Sequence, residues 1–151
     1  MRHRRGNRSL TQQAIDLRRR FPGSEVRLTA ARLIWLGALQ PTPMSREYRV
    51  EVRLATGRVP EVRVMEELGC RPGESLPHVY RGGTLCLHRA GEWAPLMFVA
   101  DSTLVWTAEW LFNYEIWKAT GKWYGGGEWP PGRPFDVNTP DPDEIPREDL
   151  A

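Results

Sequence analysis

Leu76-Pro77-His78-Val79-Tyr80-Arg81-Gly82-Gly83-Thr84-Leu85-Cys86-Leu87 is the stretch on which the reading of this chain turns. It has neither the period of a helix nor the alternation of a strand. Two short apolar groups, Val79-Tyr80 and Leu85-Cys86-Leu87, flank the pair Gly82-Gly83. The stretch lies inside a longer irregular segment, residues 66 to 101, rich in Gly and Pro yet punctuated by apolar side chains such as Trp93. Irregular segments of that length in a compact domain are either functional or disordered, and interspersed apolar residues disfavour disorder. Its chemistry-bearing residue is Cys86. Between two leucines, Cys86 reads either as a small core hydrophobe or as a nucleophile on an accessible rim, where the thiolate rather than the thiol attacks.

On the N-terminal side, the period becomes regular. Ser9 followed by Gln12 gives a capping-box pattern, and Leu10, Ala14, Leu17 and Phe21 recur at helical spacing until Pro22-Gly23, which predicts a helix over about 9 to 21. From Glu25 to Met65 apolar residues alternate, as in Tyr48-Arg49-Val50-Glu51-Val52-Arg53-Leu54, with breaks at Pro41-Thr42-Pro43 and Thr56-Gly57. That pattern predicts an antiparallel meander with one wet, Arg-rich face. The more continuous Leu33-Ile34-Trp35-Leu36 run is expected at its centre.

On the C-terminal side, Asp101 or Ser102 is placed to cap a helix that shows almost no polar face until Gly121. Trp106, Trp110, Tyr114 and Trp117 form one aromatic stripe along it, read foremost as core packing. Beyond Trp123 the chain turns to Gly, Trp and Pro. Three parts are thus expected: a basic arm over 1 to 8, one domain over 9 to 133, and an acidic flexible tail over 134 to 151.

Composition bounds the rest. At 151 residues and 40% hydrophobic, the chain has enough apolar material for one real core. Residues 1 to 20 carry +6 and residues 134 to 151 carry −5, so the net charge of +2 conceals opposite ends. A basic end is an electrostatic handle for nucleic acid or an acidic protein, and equally a solvated terminus. Two cysteines, no apolar stretch of signal-peptide length and no run of ~18 apolar residues point to a cytoplasmic protein that spans no membrane. No GxxxxGK[ST] loop is present, which argues against nucleotide hydrolysis. Cys70, His78, Cys86 and His88 lack the paired spacing of a structural zinc site, so neither metal nor cofactor is implied.

The quoted stretch resembles the active-site region of ubiquitin-conjugating enzymes. Those enzymes carry a His-Pro-Asn triplet, then Val/Ile-Tyr, a Gly, and a Cys between aliphatic residues that takes ubiquitin as a thioester. Pro77, Val79, Tyr80, Gly83, Thr84, Cys86 and Leu87 match in register. Leu76 stands at the family His, and His78 at the family Asn. Trp35-x-Gly37, Pro41, Tyr48-x-Val50 and Pro60-x-Val62 fit the same order of elements. The Trp93 to Gly127 portion, including Trp106-Thr107-Ala108-Glu109-Trp110-Leu111, looks like the short conjugating-enzyme-like protein of type II CBASS antiphage operons.

The resemblance implies an α+β, ubiquitin-conjugating-enzyme-like fold: an N-terminal helix, a four-stranded antiparallel meander, an active-site Cys loop and a buried C-terminal helix. It implies Cys86 as catalytic nucleophile, forming a thioester with the C-terminus of the cGAS-like nucleotidyltransferase of the same operon. Preorganised donors beside the oxyanion are worth about 3 kcal/mol in such acyl transfers. His78 stands where the family Asn supports that region; an imidazole can donate there and also move protons, or can simply order the loop. His88, two residues after Cys86, shares its face if the chain is extended there. Arg18, Arg19 and Arg20 lie where the family meets its activating enzyme, although cations also suit the C-terminal end of a helix dipole. Two alternatives stand beside this reading. One is a non-catalytic scaffold of the same fold that binds the nucleotidyltransferase. The other is a small RNA-binding domain, disfavoured by the acidic tail and the absence of an RNP-type motif.

Overall fold

Ser9 opens the first helix by the reciprocal bonds its sequence promised. Its hydroxyl accepts from the Gln12 N–H at 3.1 Å while the Gln12 side chain takes the Ser9 N–H at 2.9 Å. The helix, α1, spans Leu10–Arg20 and buries Gln13, Ala14 and Leu17. The computed structural model describes residues 6–125. The expected acidic tail and all but the last residues of the basic arm lie outside that range.

Four strands follow: β1 Glu25–Leu28, β2 Arg32–Leu39, β3 Tyr48–Ala55 and β4 Glu61–Val64, paired antiparallel in the order β1-β2-β3-β4. This is the expected meander. Register places Trp35 opposite Val52, Leu33 opposite Leu54, and Val52 opposite Val62. These side chains form the sheet's share of the core, together with Val50 and Leu39. Glu51 and Arg53 lie on the other side as an ion pair, with Arg53 Nε 2.6 Å from Glu51 Oε1. The Trp35-x-Gly37 spacing has a steric reason: a Cβ at Gly37 would fall 2.3 Å from the Trp35 ring.

The second helix, α2, spans Thr103–Thr120 and ends at Gly121, whose φ of +79 closes the last turn in the left-handed conformation glycine adopts without strain. Its stripe packs as expected. Trp110 stacks on Tyr114 with centroids 5.7 Å apart, Tyr114 leans on Trp117 at 6.2 Å, and Tyr48 meets Tyr114 edge-on at 6.4 Å. Two expectations need correction. Ser102 stands at the N-cap of α2 as the sequence allowed, but its side chain makes no capping bond: its hydroxyl donates back to the Phe98 carbonyl, and Asp101 is engaged by Arg20. Nor is the helix apolar because it is buried all round, since Val105 and Phe112 are exposed.

The irregular residues between β4 and α2 are held by polar contacts. The Gln13 amide, 1% exposed, donates to the Met97 carbonyl at 2.7 Å and accepts from the Val99 N–H at 2.9 Å. Arg8 donates from its backbone to the Pro95 carbonyl and from its side chain to the Leu96 carbonyl, with its guanidinium over the Phe98 ring. The end of the basic arm is therefore seated on this segment.

Candidate active site

Cys86 lies on a small hairpin built from the quoted stretch. Val79 and Leu85 form an isolated antiparallel bridge, the Tyr80 N–H donates to the Thr84 carbonyl at 2.8 Å, and the Cys86 N–H donates to the His78 carbonyl at 2.8 Å. Gly82 and Gly83 make the turn at φ +103 and +91, values that explain two glycines in succession. Two bonds fasten the hairpin to β4: Leu85 N–H to the Val62 carbonyl at 2.9 Å, and the Arg63 guanidinium to the Gly82 carbonyl. From below, the Trp110 indole N–H of α2 donates to the His78 carbonyl at 3.1 Å. The sheet and α2 thus converge on the backbone that carries the thiol.

Val79 and Leu85 point into the core, 9% and 6% exposed, and Tyr80 stands outside at 40%. Cys86 is half-buried, Cys70 is exposed, and both are free thiols. The Tyr80 phenol hydrogen-bonds the Cys86 thiol, and that neighbour, with partial burial adding to it, pushes its pKa up to about 12. Tyr80 was legible only as a position in the motif; its contact with the thiol depends on the hairpin register.

His78 is 4% exposed and has φ +49, the one positive φ at a non-glycine among the described residues. Its ring stacks on Trp123, centroids 5.0 Å apart and planes 27° apart, and Trp123 in turn contacts Trp110 at 5.7 Å. His88 lies against Trp106, centroids 5.0 Å apart, with Nδ1 2.8 Å from the Arg89 carbonyl oxygen. The structure thus brings His78 and Cys86 together through the backbone bond at His78 and aims the His78 ring at Trp123.

Arg18, Arg19 and Arg20 are all exposed at the end of α1. Arg18 donates to the Val26 carbonyl at 3.3 Å. Arg20 binds Asp101, whose carboxylate raises the guanidinium pKa, and lies 3.7 Å from Asp16. Among the described residues no three His, Cys, Asp or Glu side chains gather as a metal site, and no helix is long and apolar enough to cross a membrane.

A helix, a four-stranded meander, a cysteine-bearing loop and a second helix, in that order, make an α+β protein consistent with a conjugating-enzyme-like fold. The model of the type II CBASS E2 proteins matches residues 13–130, and the chain belongs to that family. Membership points to a role in type II CBASS defence. No curated protein matches the chain.

Proposed function

We propose that the protein is a cysteine-dependent, ubiquitin-conjugating-like transferase acting in antiphage defence, with Cys86 taking the C-terminal carboxyl of a partner protein as a thioester. The partner is the cGAS-like nucleotidyltransferase of the same operon, which the transfer regulates. The observation that carries this reading is a partly buried cysteine on a hairpin tied to both β4 and α2, in a member of the type II CBASS E2 family. An incoming acyl group requires a cysteine that is held in place and not fully enclosed, and Cys86 is neither loose nor fully buried.

His78 takes the place of the family Asn in this reading. Its carbonyl accepts the Cys86 N–H, and its ring is enclosed against Trp123. Both features support His78 as the residue that sets the backbone under the nucleophile and holds the oxyanion region in place. The exposed end of α1, Arg18 to Arg20, is assigned to partner contact.

Intact mass spectrometry of the protein co-purified with the nucleotidyltransferase tests the proposal. The wild type yields a covalent adduct that dissolves on adding thiol. Cys86→Ser yields none, or an ester that survives thiol, and Cys86→Ala yields none. A wild-type protein that never forms the adduct, or a Cys86→Ala variant with full activity in cells, would leave only the scaffold reading.

A further inference from the structure

Burial of the His78 ring leaves open which side chain faces the reacting centre from the solvent side of the hairpin. The register answers it. With Val79 and Leu85 directed inward, the alternate positions Tyr80 and Cys86 fall on the opposite side of the pair. We infer that the Tyr80 hydroxyl is a catalytic hydrogen-bond donor, serving the Cys86 sulfur in the resting protein and the carbonyl oxygen once the acyl carbon is attacked. This rests on Cys86 being the acyl carrier.

Three observations support it. The phenol hydrogen-bonds the thiol. Tyr80 is 40% exposed, so an acyl group arriving from solvent can reach it. Cys86 first, and then partial burial, push the phenol's pKa up to about 12, so it keeps its proton near neutral pH, and a protonated donor is the kind an oxyanion needs. Hairpin bonds fix the base of the ring, since the Tyr80 N–H binds Thr84 and the Tyr80 carbonyl accepts from the Gly83 N–H at 3.0 Å.

The chemistry balances without altering Tyr80. Cys86 loses its proton to solvent, and its sulfur forms a bond to the carbonyl carbon of an activated acyl group, itself a thioester. The π pair moves to oxygen, which takes the Tyr80 hydrogen bond. Collapse restores the carbonyl and breaks the bond to the departing sulfur, which leaves as a thiolate and is protonated by water.

The test uses the full chain in a Cys70→Ser background, so that Cys86 is the only thiol. A glycine-ended peptide α-thioester is the acyl probe and iodoacetamide the control, because alkylation forms no oxyanion. Tyr80→Phe keeps the ring and removes the hydroxyl. It is expected to slow acylation about tenfold, below the usual loss for an enclosed oxyanion donor because the phenol is exposed, while alkylation stays within about threefold. Acylation of Tyr80→Phe at the parent rate overturns the inference and leaves Cys86 as carrier. So does an equal loss in both reactions, which marks Tyr80 as structural. Failure of the parent to acylate, or equal acylation of Cys86→Ala, removes the thioester reading itself and the inference with it.

Discussion

At φ +49, His78 occupies a region where a Cβ is crowded by its own backbone, and Asn, Asp and His are the residues other than glycine that enter it most readily. The substitution of His for the family Asn therefore keeps a residue type that the backbone accepts. His78→Asn should fold with modest loss, whereas His78→Val, β-branched at the same φ, should cost about 2 kcal/mol more; urea denaturation of the two variants measures the difference. Tyr80 makes a pH prediction. Its folded pKa, about 12, lies above the ordinary 10.0, so its contribution to stability is complete below about pH 10 and disappears as pH rises through about 12. Denaturation midpoints recorded across that range should fall less steeply in Tyr80→Phe, and in Cys86→Ala, which removes the main cause of the shift. Cys86 and His78 could be singled out from the sequence because the motif's register marks them. The contact of Tyr80 with Cys86 could not, because which residue meets the thiol is decided by a turn at Gly82-Gly83 whose geometry no periodicity encodes.

Among the elements, α1 was legible because its start is chemical and its face is periodic: the Ser9 and Gln12 capping box and the buried Ala14 and Leu17 are both written in the sequence. Gln13 was not. A buried amide on an apolar helix face has meaning only once residues 97–99 are known to lie across it, and that contact spans more than 80 residues. Gln13→Ala would leave the buried Val99 N–H without its acceptor, and buried unsatisfied donors cost about 1–3 kcal/mol. With the small cavity added, a loss of about 3 kcal/mol is expected in chemical denaturation, while Gln12→Ala, at the exposed cap, should lose about 1. Equal losses would show that the amide's contacts are not what ties the irregular segment to α1. For α2 the sequence identified the helix and its aromatic stripe, but overall apolarity concealed which side faces out. Val105 and Phe112 are exposed despite being as hydrophobic as their buried neighbours, so only packing decides between them.

Across the whole molecule, the chain returns from the end of α2 to the loop that carries Cys86. Trp123 follows Gly121, covers the His78 ring and touches Trp110. The His78 carbonyl beneath it accepts two hydrogen bonds, from the Cys86 N–H and from the Trp110 indole. Both of its lone pairs are thus engaged, and the bonds last only as long as His78 holds its unusual backbone conformation. Trp123 is the outer part of that restraint. An aromatic contact of this kind contributes about 1 kcal/mol beyond the area it buries, so Trp123→Ala should lower the free energy of local opening at the hairpin by about 1.5 kcal/mol without dismantling the sheet. Hydrogen exchange read by mass spectrometry provides the measurement: a peptide covering 78–87 should exchange about tenfold faster, and peptides from β2 and β3 should be unchanged. Acceleration spread evenly over sheet and hairpin would mean that Trp123 supports the core in general. Acceleration confined to the hairpin would mean that the segment after α2 controls the order of the Cys86 loop.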